Sequence, residues 1–390
     1  MSEAISNDPT LGVLLVSGLR THQENYAANF AKDPRCRLIG LTDEADVSAE
    51  RAQLNQAYAA QLDVPYMHDL NQALSLPGVD LVSICAEPER RGRIVIQSAQ
   101  AGKHVYIDKP MTPYLPVADQ IVDVVAQQGV RSQMFSMNHL AWAQRAKQVL
   151  DSGTLGELVA IHADNLFAKG PAGTATLGTP RQAPFPPIIS NFVDAKAELY
   201  AMSIYALGLV LWLAQRSVET VYGRTANYFF EAHQRHNVED FGFLVLTLAG
   251  GINATVTGGR IGWTGHGGEG TNQVYLVGTK GAMLIDAYAP RIEIYDSAPP
   301  WVSPPVNPDD PMGFWGSTQR AVNTQPKRIY RPLAGSVHAK SDESHFIDCI
   351  LEEREAVVNV RMAADLTEIL LAGYKSASTG DVIRLPLERG

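Results

Sequence analysis

Cysteine is scarce in this 390-residue chain: Cys36, Cys85 and Cys349 lie far apart with no paired spacing. That excludes a disulfide framework or a zinc knuckle, and it points to a reducing cytoplasm. Blocks of lysine or arginine are also missing, and the formal charge is −9 with a pI near 5.6. Neither a nucleic-acid footprint nor an anionic membrane surface is expected from such a chain. No hydrophobic run reaches the ~20 residues of a spanning helix. The longest, residues 201–214, reads as a buried core helix. The opening MSEAISNDPT lacks a basic segment followed by an apolar one, which speaks against a secretory signal. Internal repeats and low-complexity tracts are likewise absent. What is present is 45% apolar content and 19% charge, enough for two cores and far from disorder.

Along the first third, short β-branched runs at 11–16, 38–41, 79–85 and 105–107 alternate with helical patterns at 26–31, 48–62 and 94–101. Alternation of that kind means βαβ units. Near-continuous apolar strands such as Leu81-Val82-Ser83-Ile84-Cys85 suit a parallel sheet covered on both faces, as in dinucleotide-binding domains. A helix over 116–128 and a strand near 132–137 would close this unit. A phosphate-cradling first turn calls for G-x-G-x-x-G, but the chain reads Ser17-Gly18-Leu19-Arg20 after Val16, with one glycine of three. Arg20 is available as a compensating phosphate contact. Asp43 ends the second strand about 25 residues after Gly18, where a carboxylate hydrogen-bonds an adenosine ribose and repels a 2′-phosphate. NAD is therefore favoured over NADP, with a plain solvated turn residue as the other reading of Asp43.

Asp108-Lys109-Pro110 stands where the strand at 104–107 runs out, the end of a parallel sheet at which ligands bind. The proline restrains the lysine, whose ammonium can reach a hydroxyl or carbonyl in that crevice. A surface lysine in a loop is the alternative. Four segments in order then carry a resemblance. They are Ala101-Gly102-Lys103-His104-Val105-Tyr106-Ile107-Asp108-Lys109-Pro110, the helix from Lys147 into Gly153-Thr154-Leu155-Gly156-Glu157, the stretch Val277-Gly278-Thr279-Lys280-Gly281, and Lys375-Ser376-Ala377-Ser378-Thr379-Gly380 with Ile383-Arg384-Leu385-Pro386. Together they resemble the Gfo/Idh/MocA family of NAD(P)-dependent oxidoreductases over nearly the whole chain.

The resemblance implies an α/β protein: an N-terminal Rossmann domain over 1–137, then over 138–390 an α/β domain with a large open, mainly antiparallel sheet. That sheet would wall the substrate cleft and join subunits into a homodimer or homotetramer. It further implies cofactor contacts from Ser17, Gly18, Leu19, Arg20, Asp43, Asp108 and Lys109. The family's Asp/His pair, four apart on one helix, is replaced here by Ala201 and Tyr205. Tyrosine at the histidine position resembles the branch of glucose-fructose oxidoreductase and dimeric dihydrodiol dehydrogenase, where it is the proton-transfer residue. Lys109 would then orient and polarise the substrate oxygen, and its charge would favour the ionised form of the Tyr205 phenol.

Further cleft candidates are Asn138 with His139, near a family arginine, together with Asp194 and Lys196. Glu198 shares the helix face of Tyr205, seven residues on. The spacing of His233, His236 and Glu239 lacks a further ligand pattern, so no metal is expected. Residues 170–187 and 298–332 are read as lids or arms, the second bearing Trp301, Phe314 and Trp315 for a polyol ring or another subunit. The glycine-dense stretch 258–270 is read as a hairpin tip, with a phosphate cradle as the sharper alternative. The expected activity is hydride transfer between NAD(H) and a hydroxyl or ketone of a sugar, cyclitol or related polyol. A redox-neutral NAD-dependent lyase or glycosidase, and a non-catalytic dinucleotide sensor resembling the fungal galactose-pathway corepressor, remain open beside it.

Overall fold

The structure is a computed structural model. It describes residues 10–168, 196–261, 270–287, 291–296, 307–312, 327–332 and 340–389. The first sheet is built from β1 (Leu11–Val16), β2 (Cys36–Thr42), β3 (Tyr66–Met67), β4 (Leu81–Ile84), β5 (His104–Ile107) and β6 (Ser132–Met134). All its pairings are parallel, in the order β3-β2-β1-β4-β5-β6. Parallel neighbours need crossovers, and α1 (Gln23–Lys32), α2 (Ala49–Gln61), α3 (Leu70–Leu74), α4 (Pro88–Gln100) and α5 (Leu115–Gln128) supply them. Every residue of β1 and β4 is buried, because helices cover both faces; this is why those strands read as unbroken apolar runs. After β3 the chain returns to the other side of β1. A crevice therefore opens between the carboxyl ends of β1 and β4.

Helix α6 (Ala141–Asp151) leads to a second, nine-stranded sheet. Its strands are β7 (Leu158–Ala168), β8 (Val218–Ala226), β9 (Phe241–Leu248), β10 (Ile252–Ile261), β11 (Gly270–Gly278), β12 (Gly281–Asp286), β13 (Arg291–Asp296), β14 (Lys327–Pro332) and β15 (Ile383–Arg384). The order is β14-β13-β12-β11-β7-β10-β9-β8-β15, antiparallel except where β10 meets β7. Helix α7 (Glu198–Ala214) lies across β7, β9 and β10, and α10 (Val360–Thr379) lies against β8 and α5. One continuous core runs from the first sheet through these helices to the inner face of the second. The short helix α8 (Glu231–Arg235) joins β8 to β9.

Gly258 lets α7 come so close. A Cβ there would stand 2.7 Å from the Ser203 backbone nitrogen and 2.1 Å from its Oγ, so any side chain would push the helix off the sheet. Residues 258–261 thus continue β10, which corrects the reading of 258–270 as a hairpin tip. Strands β10 and β11 are not even neighbours, since β7 lies between them. The stretch at 277–281 does form the β11–β12 hairpin. Thr279 and Lys280 there donate backbone hydrogen bonds to Glu157 and Leu155, tying two of the family-like segments together.

Helix α9 (Asp342–Leu351) follows the second sheet in the chain but packs on the first, its Phe346, Ile347 and Ile350 joining the core of α1, α2 and β1. Ser341 caps it through Ser344 N. Asp342, in its first turn, accepts from Tyr106 Oη at 2.9 Å and Gln133 Nε2 at 2.7 Å on β5 and β6. The proposed lids at 170–187, most of 298–332, and Trp301, Phe314, Trp315 and Asp194 lie outside the described residues.

Candidate active site

Lys109 stands two residues past the end of β5, beside the crevice at the sheet's carboxyl edge, and its Lys109–Pro110 peptide is cis. Its side chain crosses to the second unit. Nζ donates to the Ala201 carbonyl at 2.8 Å and lies 4.4 Å from the centroid of the Tyr205 ring. Two groups 96 positions apart in the sequence therefore meet, because α7 is pressed on its sheet with residues 201 and 205, one turn apart, facing β5. The ammonium sits over the ring face, a cation–π contact, and a backbone carbonyl takes the role a carboxylate at 201 would have had. Phe135 holds the other side of Tyr205 edge-on, with ring centroids 6.1 Å apart.

Burial pulls the Lys109 pKa down to about 8; adjacent Asp108 opposes the fall and Lys196 adds to it. Asp108 itself is buried and used structurally. Its Oδ2 takes Arg91 at 2.8 Å, and its Oδ1 takes His22 and Tyr26, each at 2.8 Å. Burial would raise its carboxyl, but the Arg91 charge and the hydrogen bond with His22 hold it well below the usual range. Arg91, at the start of α4, also donates to the Ala86 and Pro110 carbonyls. One guanidinium thus pins both flanks of Lys109. Nothing in the motif around Lys109 signals Arg91; only the position of α4 just after β4 does.

The turn after β1 departs from the glycine pattern, and non-glycine residues take its positive-φ positions. Ser17 (φ 67°) and Arg20 (φ 62°) adopt the left-handed conformation themselves, at a penalty of roughly 1 kcal/mol each. Gly18 is needed for packing: a Cβ would lie 3.1 Å from Tyr58 Cβ and 3.2 Å from Asn55 Cα on α2. Its amide donates to Asn55 Oδ1 at 2.8 Å, and the Leu19 carbonyl accepts from Arg51 at 2.8 Å. The amides of Arg20 and Thr21 both donate to the Glu24 carboxylate, at 3.0 and 3.3 Å. Donors aimed at an anion are what a pyrophosphate needs here, and Glu24 is its stand-in. The donor set of the turn, two amides already directed at a carboxylate, fits an anionic group. The Arg20 side chain points to exposed Glu50.

Asp43 is fully buried, unlike the accessible ribose reader expected at the end of β2. It accepts from Ser17 Oγ and Asn55 Nδ2, each at 2.8 Å, from Glu44 N at 2.9 Å, and from Arg90. Burial works against its charge, yet Arg90 more than offsets this and keeps the pKa low. Arg90 is therefore the group that Asp43 presents toward a ligand. Among the described residues, the surrounding cleft is lined by five carboxylates and five cations.

The pocket between the two units holds Lys109, Tyr205, Tyr200, Arg91, Lys196 and Arg260 among its walls. Asn138 is not among them: it is buried behind α7, with Nδ2 3.5 Å from the Gly208 carbonyl. His139 stacks on His345 at 3.7 Å, away from the pocket. Glu198, nearly inaccessible at 1% exposure, holds Arg260 Nε at 2.5 Å, and His233 Nε2 stands 3.6 Å from it. Glu239 turns elsewhere, accepting from Leu199 N and Tyr374 Oη. Arg260 went unnoticed in the sequence because it sits in the glycine-dense stretch that reads as a loop.

A family model described as an oxidoreductase family with an NAD-binding Rossmann fold matches residues 14–136. A second, the GFO/IDH/MocA C-terminal domain, matches 143–284. Dehydrogenase aclE of Aspergillus oryzae is 29% identical over 166 residues, which is 41% of this chain and 45% of that protein. The scyllo-inositol 2-dehydrogenase (NAD(+)) of Bacillus subtilis is 24% identical over 65% of this chain and 67% of its own length. Among solved structures, an aldose-aldose oxidoreductase from Caulobacter crescentus complexed with glycerol superposes with a TM-score of 0.71 at 18% identity, covering 96% of this chain and all of that one. At that identity the likeness shows the fold.

Proposed function

The chain belongs to the GFO/IDH/MocA oxidoreductase family, and on that premise we propose that it transfers hydride between NAD(H) and a secondary hydroxyl or ketone of a sugar, cyclitol or related polyol. The observation that carries this reading is the convergence of Lys109 and Tyr205 in one pocket beside the β1–β4 crevice. Relatives named for inositol substrates point the same way. When bound, the dinucleotide supplies the hydride acceptor or donor. The chain's own work is protonic: Lys109 hydrogen-bonds and polarises the substrate oxygen, while Tyr205 exchanges the hydroxyl proton. Arg91 acts as a positioning residue by holding the backbone on both sides of Lys109.

The turn amides of Arg20 and Thr21 would receive the pyrophosphate, with Gly18 serving the packing of the turn on α2. Arg90, held by buried Asp43, would face the adenosine end. NAD is our choice over NADP because equal numbers of acids and bases line that cleft, so a 2′-phosphate gains no net attraction. The open face of the second sheet carries half-exposed Val159, Val245 and Tyr275. We assign that face to a second copy of the chain, a homodimer or homotetramer that light scattering would register. A reducing cytoplasm suits three unpaired cysteines, and among the described residues no helix is long and apolar enough to cross a membrane.

Two measurements test the activity. Denaturing the purified protein should release NAD, and adding a polyol panel should change nicotinamide absorbance steadily. Tyr205→Phe should lower kcat by about 10²- to 10⁴-fold; full turnover in that variant would remove the phenol from the reaction. One observation favours the sensor as a second reading: Glu24 already occupies the phosphate-facing amides. Tight NAD binding without any product would establish it.

A further inference from the structure

We propose that the ligand of this pocket is a polyol or sugar carrying an anionic group, a carboxylate or a phosphate, held by Arg260 and Lys196. The inference rests on the oxidoreductase reading of the same pocket and deepens it. On a chain of net charge −9, the described residues that line the pocket include four cations, Arg91, Lys109, Lys196 and Arg260, and one carboxylate, Asp108. Even when buried Glu198 is counted, two positive charges remain in excess. The neighbouring nucleotide-side cleft, which shares Lys196, has among the described residues four further cations against five carboxylates. A neutral polyol can accept hydrogen bonds from these groups but offers no charge to offset their mutual repulsion, whereas an anionic group does both.

The two proposed anchors are built differently. Arg260 is fixed by its Nε–Glu198 hydrogen bond at 2.5 Å, while its side chain keeps about a third of its surface exposed (33%). Among the described residues its two terminal nitrogens have no hydrogen-bond partner, so a guanidinium fork is held ready for a planar or tetrahedral anion. Lys196 is exposed and pairs with no carboxylate among the described residues. Its charge lies close enough to Lys109 to disfavour the ammonium there. A bound anion would relieve that repulsion and keep Lys109 protonated for its work on the substrate oxygen.

The test uses the full chain with NAD and three matched ligands: a neutral hexose, the corresponding hexuronate and the hexose phosphate. We expect kcat/KM for one of the two anionic compounds to exceed that of the hexose at least tenfold, and the better one identifies the anion. Arg260→Gln should cut that anionic-to-neutral ratio by about 10- to 100-fold, mainly through KM. Lys196→Gln, at an exposed position that folding does not depend on, should cut it in the same direction. A preference for the hexose, or a ratio that neither variant moves, overturns the proposal. So does a weakened NAD Kd in both variants with the ratio intact, which would give these cations to the pyrophosphate. If no compound is turned over, calorimetry on NAD-saturated protein separates the two readings. Selective binding of an anionic sugar, lost in Arg260→Gln, would keep the anionic ligand and retire the dehydrogenase; equal binding of all three would overturn the anionic ligand.

Discussion

Replacing Lys109 by methionine should remove the chemistry and stabilise the fold. Lys109 is 8% exposed and its pKa has fallen from an ordinary 10.5 to about 8, chiefly through burial. That fall corresponds to about 3 kcal/mol of preference for the uncharged amine inside the folded chain. At pH 7 the folded protein still carries the charge and bears that penalty in full. Methionine keeps the apolar stem and removes the charge. Because the folded pKa lies below the unfolded one, the unfolded chain binds more protons between pH 8 and 10.5, so wild-type stability rises across that window. The variant lacks this rise. Denaturant unfolding should therefore find Lys109→Met more stable by about 2–3 kcal/mol at pH 7, a margin that closes toward pH 10.5, while turnover falls by at least about 10²-fold. A variant less stable than wild type at pH 7, or a margin that ignores pH, would refute the idea that this lysine is strained by burial. In the enzyme itself, activity should decline as pH climbs through 8 and Lys109 loses its proton.

Glu24→Gln should tighten NAD binding by about tenfold, since it removes the carboxylate that competes for the Arg20 and Thr21 amides; fluorescence titration showing equal or weaker affinity would mean the pyrophosphate lies elsewhere. Arg91→Met strands Asp108 in a buried site with only His22 and Tyr26, and chemical denaturation should report a loss of about 3–5 kcal/mol. A loss under 1 kcal/mol would show that Arg91 does not anchor the Lys109 loop. Burial raises Asp342 to about 7 against its Tyr106, Gln133 and Ser136 hydrogen bonds, so the folded chain holds a proton that the unfolded chain releases between pH 4 and 7. Stability is then lost as pH rises through that interval, and Asp342→Asn should be more stable at pH 8 by up to ~4 kcal/mol with no gain at pH 4. A gain of the same size at both pH values would assign it to packing alone.

Local pattern was enough to write down most of the first unit. The buried runs of β1, β4 and β5 and the amphipathic stretches between them follow from period and β-branching, and the apolar run at 201–214 is the helix it reads as. Lys109 and Tyr205 were legible too, one from its place at a strand end and both from the resemblance. The sequence alone thus determined element type, the alternation that makes a parallel sheet, and two of the groups at the pocket. Only the tertiary structure decided which polar residues face that pocket. Asp43 looked open and is sealed under Arg90. Asn138 looked like a cleft residue and lies behind α7. Arg260 looked like part of a loop and enters the pocket, because β10 runs on past Gly258 and Glu198 catches its guanidinium. Helix α9 came back to the first sheet after more than 200 intervening residues. The physical reason is range. Periodicity and propensity act over one or two turns of chain, whereas burial and ion pairing depend on which surfaces meet across the whole fold, and charges far apart in sequence sort themselves only when those surfaces close.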